Sequence, residues 1–271
     1  MVIMNVVVLS FMFILIGYSS FFMLVIRANA NTPINENDPS EAVSMLSYLK
    51  REQYGSWPLL TGPYYMAKPI GANDGSPVYV RDEKKGKYVI TDDRRGTEPI
   101  YDENLTTIFP RMWNGSKSIY TSTYERYIDK SKMVPVTVKK SNGSETAMRP
   151  TFMQNLKFFF GYQCNHMYWR YFMWNFVGRQ NDIQGHGELE NGNWLSGIKF
   201  IDEARLGKQT DLPKSMTNSG RTTFYFLPLI LGLIGLFYHI KKDIKNSWVV
   251  FLLFFMTGLA IVIYLNQTPY Q

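Results

Sequence analysis

The chain has 271 residues, of which 45% are hydrophobic, and a formal net charge of +7. Its single cysteine, Cys164, rules out an internal disulfide or a cysteine-pair metal site and reads as a packing residue. The basic excess first suggests nucleic acid as partner. Outside the loop 239–246, however, 26 Lys and Arg are interspersed with 21 Asp and Glu as on an ordinary solvated surface, so anionic lipid headgroups are the better partner.

Residues 2–26 (VIMNVVVLSFMFILIGYSSFFMLVI) carry no charge and exceed the roughly 20 apolar residues that cross a bilayer. Ala28-Asn29-Ala30 resembles a signal-peptidase site, but the start, MVIMN, has no Lys or Arg and the apolar run is too long for a secretory signal. An uncleaved transmembrane helix is expected. The next stretch, 27–39 (RANANTPINENDP), is rich in hydrogen-bonding side chains and holds Glu36 and Asp38. That pair suits a general base or a divalent-cation ligand, whereas the plainer reading makes Asp38 or Asn37 the cap of a following helix and leaves Glu36 solvated.

A helix over 40–53 (SEAVSMLSYLKREQ) follows from Val43, Leu46 and Leu49 at helical spacing. Short β-prone pieces then come at 78–80, 88–90 and 100–101, separated by charged turns, and predict a small hairpin or meander. Ser141-Asn142-Gly143-Ser144 marks a loop.

Residues 152–177 (FMQNLKFFFGYQCNHMYWRYFMWNFV) are apolar enough to tempt a further span. Lys157, His166 and Arg170 would be costly in hydrocarbon, and the Trp and Tyr content suits the headgroup level, so an interfacial helix lying along the membrane surface is expected. Arg170 and Arg179, nine residues apart, would fall on one side of a continuous helix and could grip a phosphate. Tyr168, Trp169 and Trp174 could stack on sugar rings, and Asn181, Asp182, Gln184, His186 and Glu188 could bond hydroxyls. A plain interfacial anchor with snorkelling arginines remains the alternative.

Two more apolar runs, 224–238 and 248–265, flank the basic loop HIKKDIKN and predict a transmembrane hairpin. Lys241, Lys242 and Lys245 place that loop in the cytoplasm, so residues 27–221 lie on the external face. The expected division is a transmembrane helix 1–26, a periplasmic α/β region 27–151, an interfacial aromatic helix and polar loop 152–221, and the hairpin 222–271. His166, His186 and His239 form no H-E-x-x-H pattern, and neither a P-loop nor a G-x-S-x-G elbow occurs, so no metal site is expected.

The stretches RANANTPINENDPSEAVSMLSYLKREQYG, TIFPRMW, NLKFFFGYQCNHMYWRYFMWNFVGRQNDIQGHGE, NGNWLSGIKFID and the hairpin resemble a family of multi-span membrane proteins from Bacteroidetes, catalogued as a domain of unknown function. That family is similar to the protein O-mannosyltransferases, which are GT-C glycosyltransferases using lipid-linked donors. The resemblance implies an α-helical membrane protein, GT-C-like, with a mixed α/β periplasmic region inserted between spans. It implies transfer of a mannose-like sugar from a polyprenyl-phosphate donor to hydroxyls of a periplasmic acceptor protein, in the bacterial inner membrane. Arg170 or Arg179 would hold the donor phosphate, and Asp38 or Glu36 would act as base. It also implies that the chain is an internal fragment, with further spans on both sides and the family's acidic motif before Met1. The rivals are a membrane scaffold that docks envelope or secretion partners and, disfavoured by the few charges in the spans, a transporter.

Overall fold

The computed structural model describes residues 2–30, 32–52, 58–82, 84–140, 143–214 and 216–269. In chain order these form α1 (Val2–Asn29), α2 (Ala42–Leu49), β1 (Thr61–Pro63), β2 (Gly71–Asn73), β3 (Val78–Asp82), β4 (Lys87–Asp92), β5 (Glu98–Ile100), β6 (Thr106–Ile108), α3 (Ser118–Glu125), β7 (Val134–Lys140) and β8 (Gly143–Arg149). Then come α4 (Phe152–Phe158), a π-helical segment (Phe159–Trp169), α5 (Arg170–Phe176), β9 (Gly178–Arg179), α6 (Lys199–Leu206), β10 (Thr222–Thr223), α7 (Leu227–Lys242), α8 (Ile244–Thr257) and α9 (Leu259–Leu265). The strands make two-stranded ladders: β1 with β6, β2 with β5, β3 with β4, β7 with β8 and β9 with β10.

This arrangement overturns the expected GT-C-like, multi-span helical fold. The chain is 47% helical with several small antiparallel sheets, and among the described residues only two helices are long and apolar enough to cross a membrane. They are Val2–Asn29 and Ile244–Leu265, the second being α8 continued by α9. The other hairpin arm, α7, has 16 residues, about 24 Å of helix against a hydrocarbon core of about 30 Å. Its last turn already carries His239, Lys241 and Lys242. In α1 the apolar side chains are outward, Phe22 and Phe11 among them, which in water would be a large unpaid exposure and calls for an apolar surrounding.

Two compact units partition the chain. One comprises Met1–Trp57 and Ala72–Pro99, and the other Pro58–Gly71 and Ile100–Gln271. In the first, β3 and β4 pair from Asp82 and Lys87 outward, so the predicted hairpin is present at 78–80 and 88–90. The third β-prone piece does not extend it into a meander, since β5 pairs with β2 instead. Helix α2 is shorter than the expected 40–53, and Gln53 lies outside the described residues. Neither Asp38 nor Asn37 caps it. Glu41 does, in a capping box with Ser44, because Asn37 and Asp38 both hold positive φ (63° and 28°) in the turn before.

In the second unit β7 and β8 form a seven-residue ladder that the sequence reading left unassigned. Gly143 and Ser144 of the expected loop belong to β8, and Ser141 and Asn142 lie outside the described residues. The core is aromatic: Met112, Tyr120, Tyr124, Phe158 and Tyr162 are buried together, with Tyr65 and Tyr127 against them. Phe158 sits at the centre, edge-on to Tyr124 (ring centroids 5.0 Å apart) and Tyr127 (5.5 Å) and stacked on Tyr162 (5.4 Å). Asn155, fully buried, spends its amide on the Met112 N–H and the Tyr64 hydroxyl.

The aromatic stretch begins at Phe152 as expected, after a Thr151–Gln154 capping box that was not foreseen. It stands antiparallel beside α8 and α9. Gln163 donates to the Asn266 side chain and the Gln267 carbonyl, Tyr168 fills the space left open by Gly258, and Phe172 packs edge-on to Phe254 at 5.8 Å. Trp113 ties the same end down by donating to the Asn266 carbonyl at 2.8 Å. The π-helical register of its middle eleven residues was not visible in the sequence.

Replacing Phe158 by alanine is expected to cost about 3–5 kcal/mol, the usual range for a buried Phe in a well-packed core. Denaturant unfolding of the detergent-solubilised chain measures it.

Candidate functional site

The polar end of the aromatic helix faces a knot of loops. After Phe176 the chain turns at Gly178, whose φ of 142° and position against the Leu195 carbonyl (a Cβ would lie 2.3 Å from it) leave room for glycine alone. The turn places Arg179 in β9, paired with Thr222 and bridged to Trp194. Arg170 and Arg179 therefore do not share a helix face as expected, because the helix has ended between them. Arg179 stacks on Trp174, its guanidinium carbon 4.1 Å from the ring centroid.

Several residues read as hydroxyl binders are instead spent on the loop. Asn181 is fully buried: its amide donates to the Glu190 carbonyl and the Asn191 side chain, and its oxygen accepts from the Gly192 N–H. Gln180 ties the Leu189 carbonyl to the Asn193 amide in the same way. Asp182 accepts from the Asn218 side chain and is exposed. Trp174 donates to the Asn181 carbonyl and stacks on Tyr171. Glu188 accepts from the His186 N–H at 2.7 Å. Burial works against the Glu188 carboxylate, but hydrogen bonds from its own and the His186 backbone outweigh burial and hold its pKa below the usual range.

What the fold gathers is a cleft of about 340 Å³ between the aromatic helix and the segment 193–205. Arg170, Trp169 and His166 line one side, and Trp194, Asn193 and Arg205 the other. Arg205, in α6, lies flat on Trp194, its guanidinium carbon 3.3 Å from the ring centroid, and donates to the Trp194 carbonyl. Arg170 donates through Nε to the His166 carbonyl at 2.9 Å and through a terminal nitrogen to the Gly192 carbonyl. Among the described residues neither arginine forms an ion pair. Burial lowers the pKa of both guanidiniums, the mark of cations denied part of their water.

Asp202 braces the far wall from behind without lining the cleft. Almost fully buried, it accepts from the Ser196 N–H, the Ser196 hydroxyl and the Gly197 N–H, which pins the turn after Trp194 to α6. Arg205 and Trp194 were not singled out from the sequence. Their only signal was a lone Trp in a Gly- and Asn-rich run followed by a short helix.

Glu36 and Asp38, the candidate bases, belong to the other unit. Asp38 accepts from the Asn35 side chain at 2.8 Å, and Glu36 lines a separate cavity with Arg27. Among the described residues no three His, Cys, Asp or Glu side chains come together to hold a metal ion.

The model of a family of unknown function, DUF8416, matches residues 55–160, under half of the chain, and stops short of every residue lining the arginine cleft. No curated protein and no solved structure matches the chain.

His166 is stacked on Tyr162, its ring centroid 5.2 Å away, and its Nε2 is buried without a partner. Burial, helped by Arg170, lowers its pKa to about 4. The unfolded chain therefore takes up a proton on His166 near pH 6.5 that the folded chain refuses until about pH 4. Stability should fall as the pH drops through that window, and His166→Gln should remove that part of the slope in thermal unfolding measured against pH. Separately, Asp202→Ala strands three donors, two of them backbone, and should cost several kcal/mol in the same unfolding assay.

Proposed function

We propose that the protein binds a lipid-linked, phosphate-bearing sugar at a membrane surface and serves its transfer to a hydroxyl acceptor. The observation that carries this reading is the arginine cleft beside a helix of membrane-crossing length. Two half-buried guanidiniums without a contacting carboxylate, Arg170 feeling only the more distant charge of Glu188 and Arg205 that of Asp202, favour an incoming anion, and both line one space. Trp169 and Trp194 in the same walls offer flat apolar faces of the kind that take a sugar ring. The clamp differs from the one expected from sequence, with Arg205 in the place of Arg179.

The aromatic helix that bears Arg170 packs along Phe254 to Gln267, so a lipid tail could follow α8–α9 while its phosphate reaches the cleft. The transfer step draws on the likeness to protein O-mannosyltransferases. A scaffold reading gives the two cleft arginines no anion to bind.

The test is binding of a polyprenyl-phosphate mannose to the detergent-solubilised chain, followed by tryptophan fluorescence. Arg170→Ala and Arg205→Ala should each weaken binding at least tenfold, as expected for a charged hydrogen bond, while Arg179→Ala should leave it within about twofold. Donor binding that survives both losses would end the clamp. Sugar transfer to an acceptor protein then tests the reaction separately.

A further inference from the structure

A second cavity, of about 620 Å³, opens at the end of α1 in the other unit. Arg27, in the last turn of that helix, and Glu36, nine residues on, both line it, together with Leu24, Ile34, Asn35 and Tyr48. The two opposite charges, both solvent-exposed, share one cavity without pairing. Among the described residues neither forms an ion pair, with the other or with anything else. Ile34 stands 86% exposed beside them, an apolar side chain on an otherwise polar loop.

We infer that this cavity binds the headgroup of a zwitterionic aminophospholipid. A phosphate linked by two carbons to a primary ammonium carries both charges the cavity lacks. Arg27 takes the phosphate, for which the guanidinium fork is suited, and Glu36 takes the ammonium. The cavity opens at the end of a 28-residue apolar helix, where headgroups lie and where arginine ends such helices, and this makes a membrane lipid the source rather than a free solute. Leu24 and Ile34 then meet the glycerol and the start of the acyl chains. Glu36 also sets the selectivity. It repels a headgroup whose only charge is negative, and it finds no N–H on a quaternary ammonium. The cavity shares no lining residue with the arginine cleft, so either assignment stands if the other fails.

The experiment counts lipids bound to the purified chain in neutral detergent by native mass spectrometry. Separate arms contain short-chain phosphatidylethanolamine, phosphatidylcholine and phosphatidylglycerol, and a fourth adds free phosphoethanolamine as competitor. Phosphatidylethanolamine is expected to bind about tenfold tighter than the other two, the worth of one charged hydrogen bond. Glu36→Gln should abolish that preference while keeping phosphate binding, and Arg27→Gln should weaken all three lipids about tenfold. Equal retention of the three lipids by the unaltered chain, or a preference that survives Glu36→Gln, overturns the assignment. Free phosphoethanolamine that competes at the same concentration as the lipid overturns the membrane as the source.

Discussion

The packing of Phe158 among Tyr124, Tyr127 and Tyr162 fixes one end of the long aromatic helix, and everything polar in the larger unit is placed by what that helix does next. A helix anchored by rings alone could roll about its axis. Asn155 prevents this, because its two hydrogen bonds, to the Met112 amide and the Tyr64 hydroxyl, exist in one rotational setting only. With that setting fixed, one flank of the helix meets α8–α9 through Gln163, Tyr168 and Phe172, and another presents His166 and Arg170 to the loops. The apolar contacts supply energy and the buried amides supply orientation.

The cleft follows a second rule, that cations are held in place by backbone carbonyls and aromatic faces rather than by carboxylates. Arg170 leans on the carbonyls of His166 and Gly192, and Arg205 on the carbonyl and ring of Trp194. Such contacts orient a guanidinium without neutralising it. The positive potential is left for whatever enters, and His166, kept uncharged by its burial, does not add to it near neutral pH.

How far the sequence was legible depends on the range of the forces involved. The apolar runs of α1 and α8–α9, the Phe152 start of the aromatic stretch and the β3–β4 hairpin are local patterns, and each was readable from a few neighbouring residues. The number of membrane-length helices was not, because α7 reads as apolar from 224 but begins only at Leu227, after Tyr225 and Phe226 have turned through positive φ (51° and 62°). The site was half visible. Arg170 and Trp169 stood out, but their partners Trp194 and Arg205 come from 24 or more residues away and meet them through loop closure alone. Asn181 misled for a related reason: polar side chains in a long loop suggest a ligand, yet a loop that must bury its own backbone needs those same amides for itself.

The eleven-residue π-helical segment between Phe158 and Arg170 gives the larger unit a built-in phase setting. Each residue of an α-helix turns the chain by about 100°, so a one-residue deletion there could be absorbed by relaxing toward ordinary α-helical bonding, with no break in the helix. Asn155 and Phe158 upstream would be untouched, yet every side chain beyond the deletion would be swung to a different azimuth, Arg170 among them, away from Trp194 and Arg205. The wide turn thus acts as a shim: with Asn155 fixing the helix upstream, chain length within it determines whether Arg170 reaches the cleft that Arg205 lines.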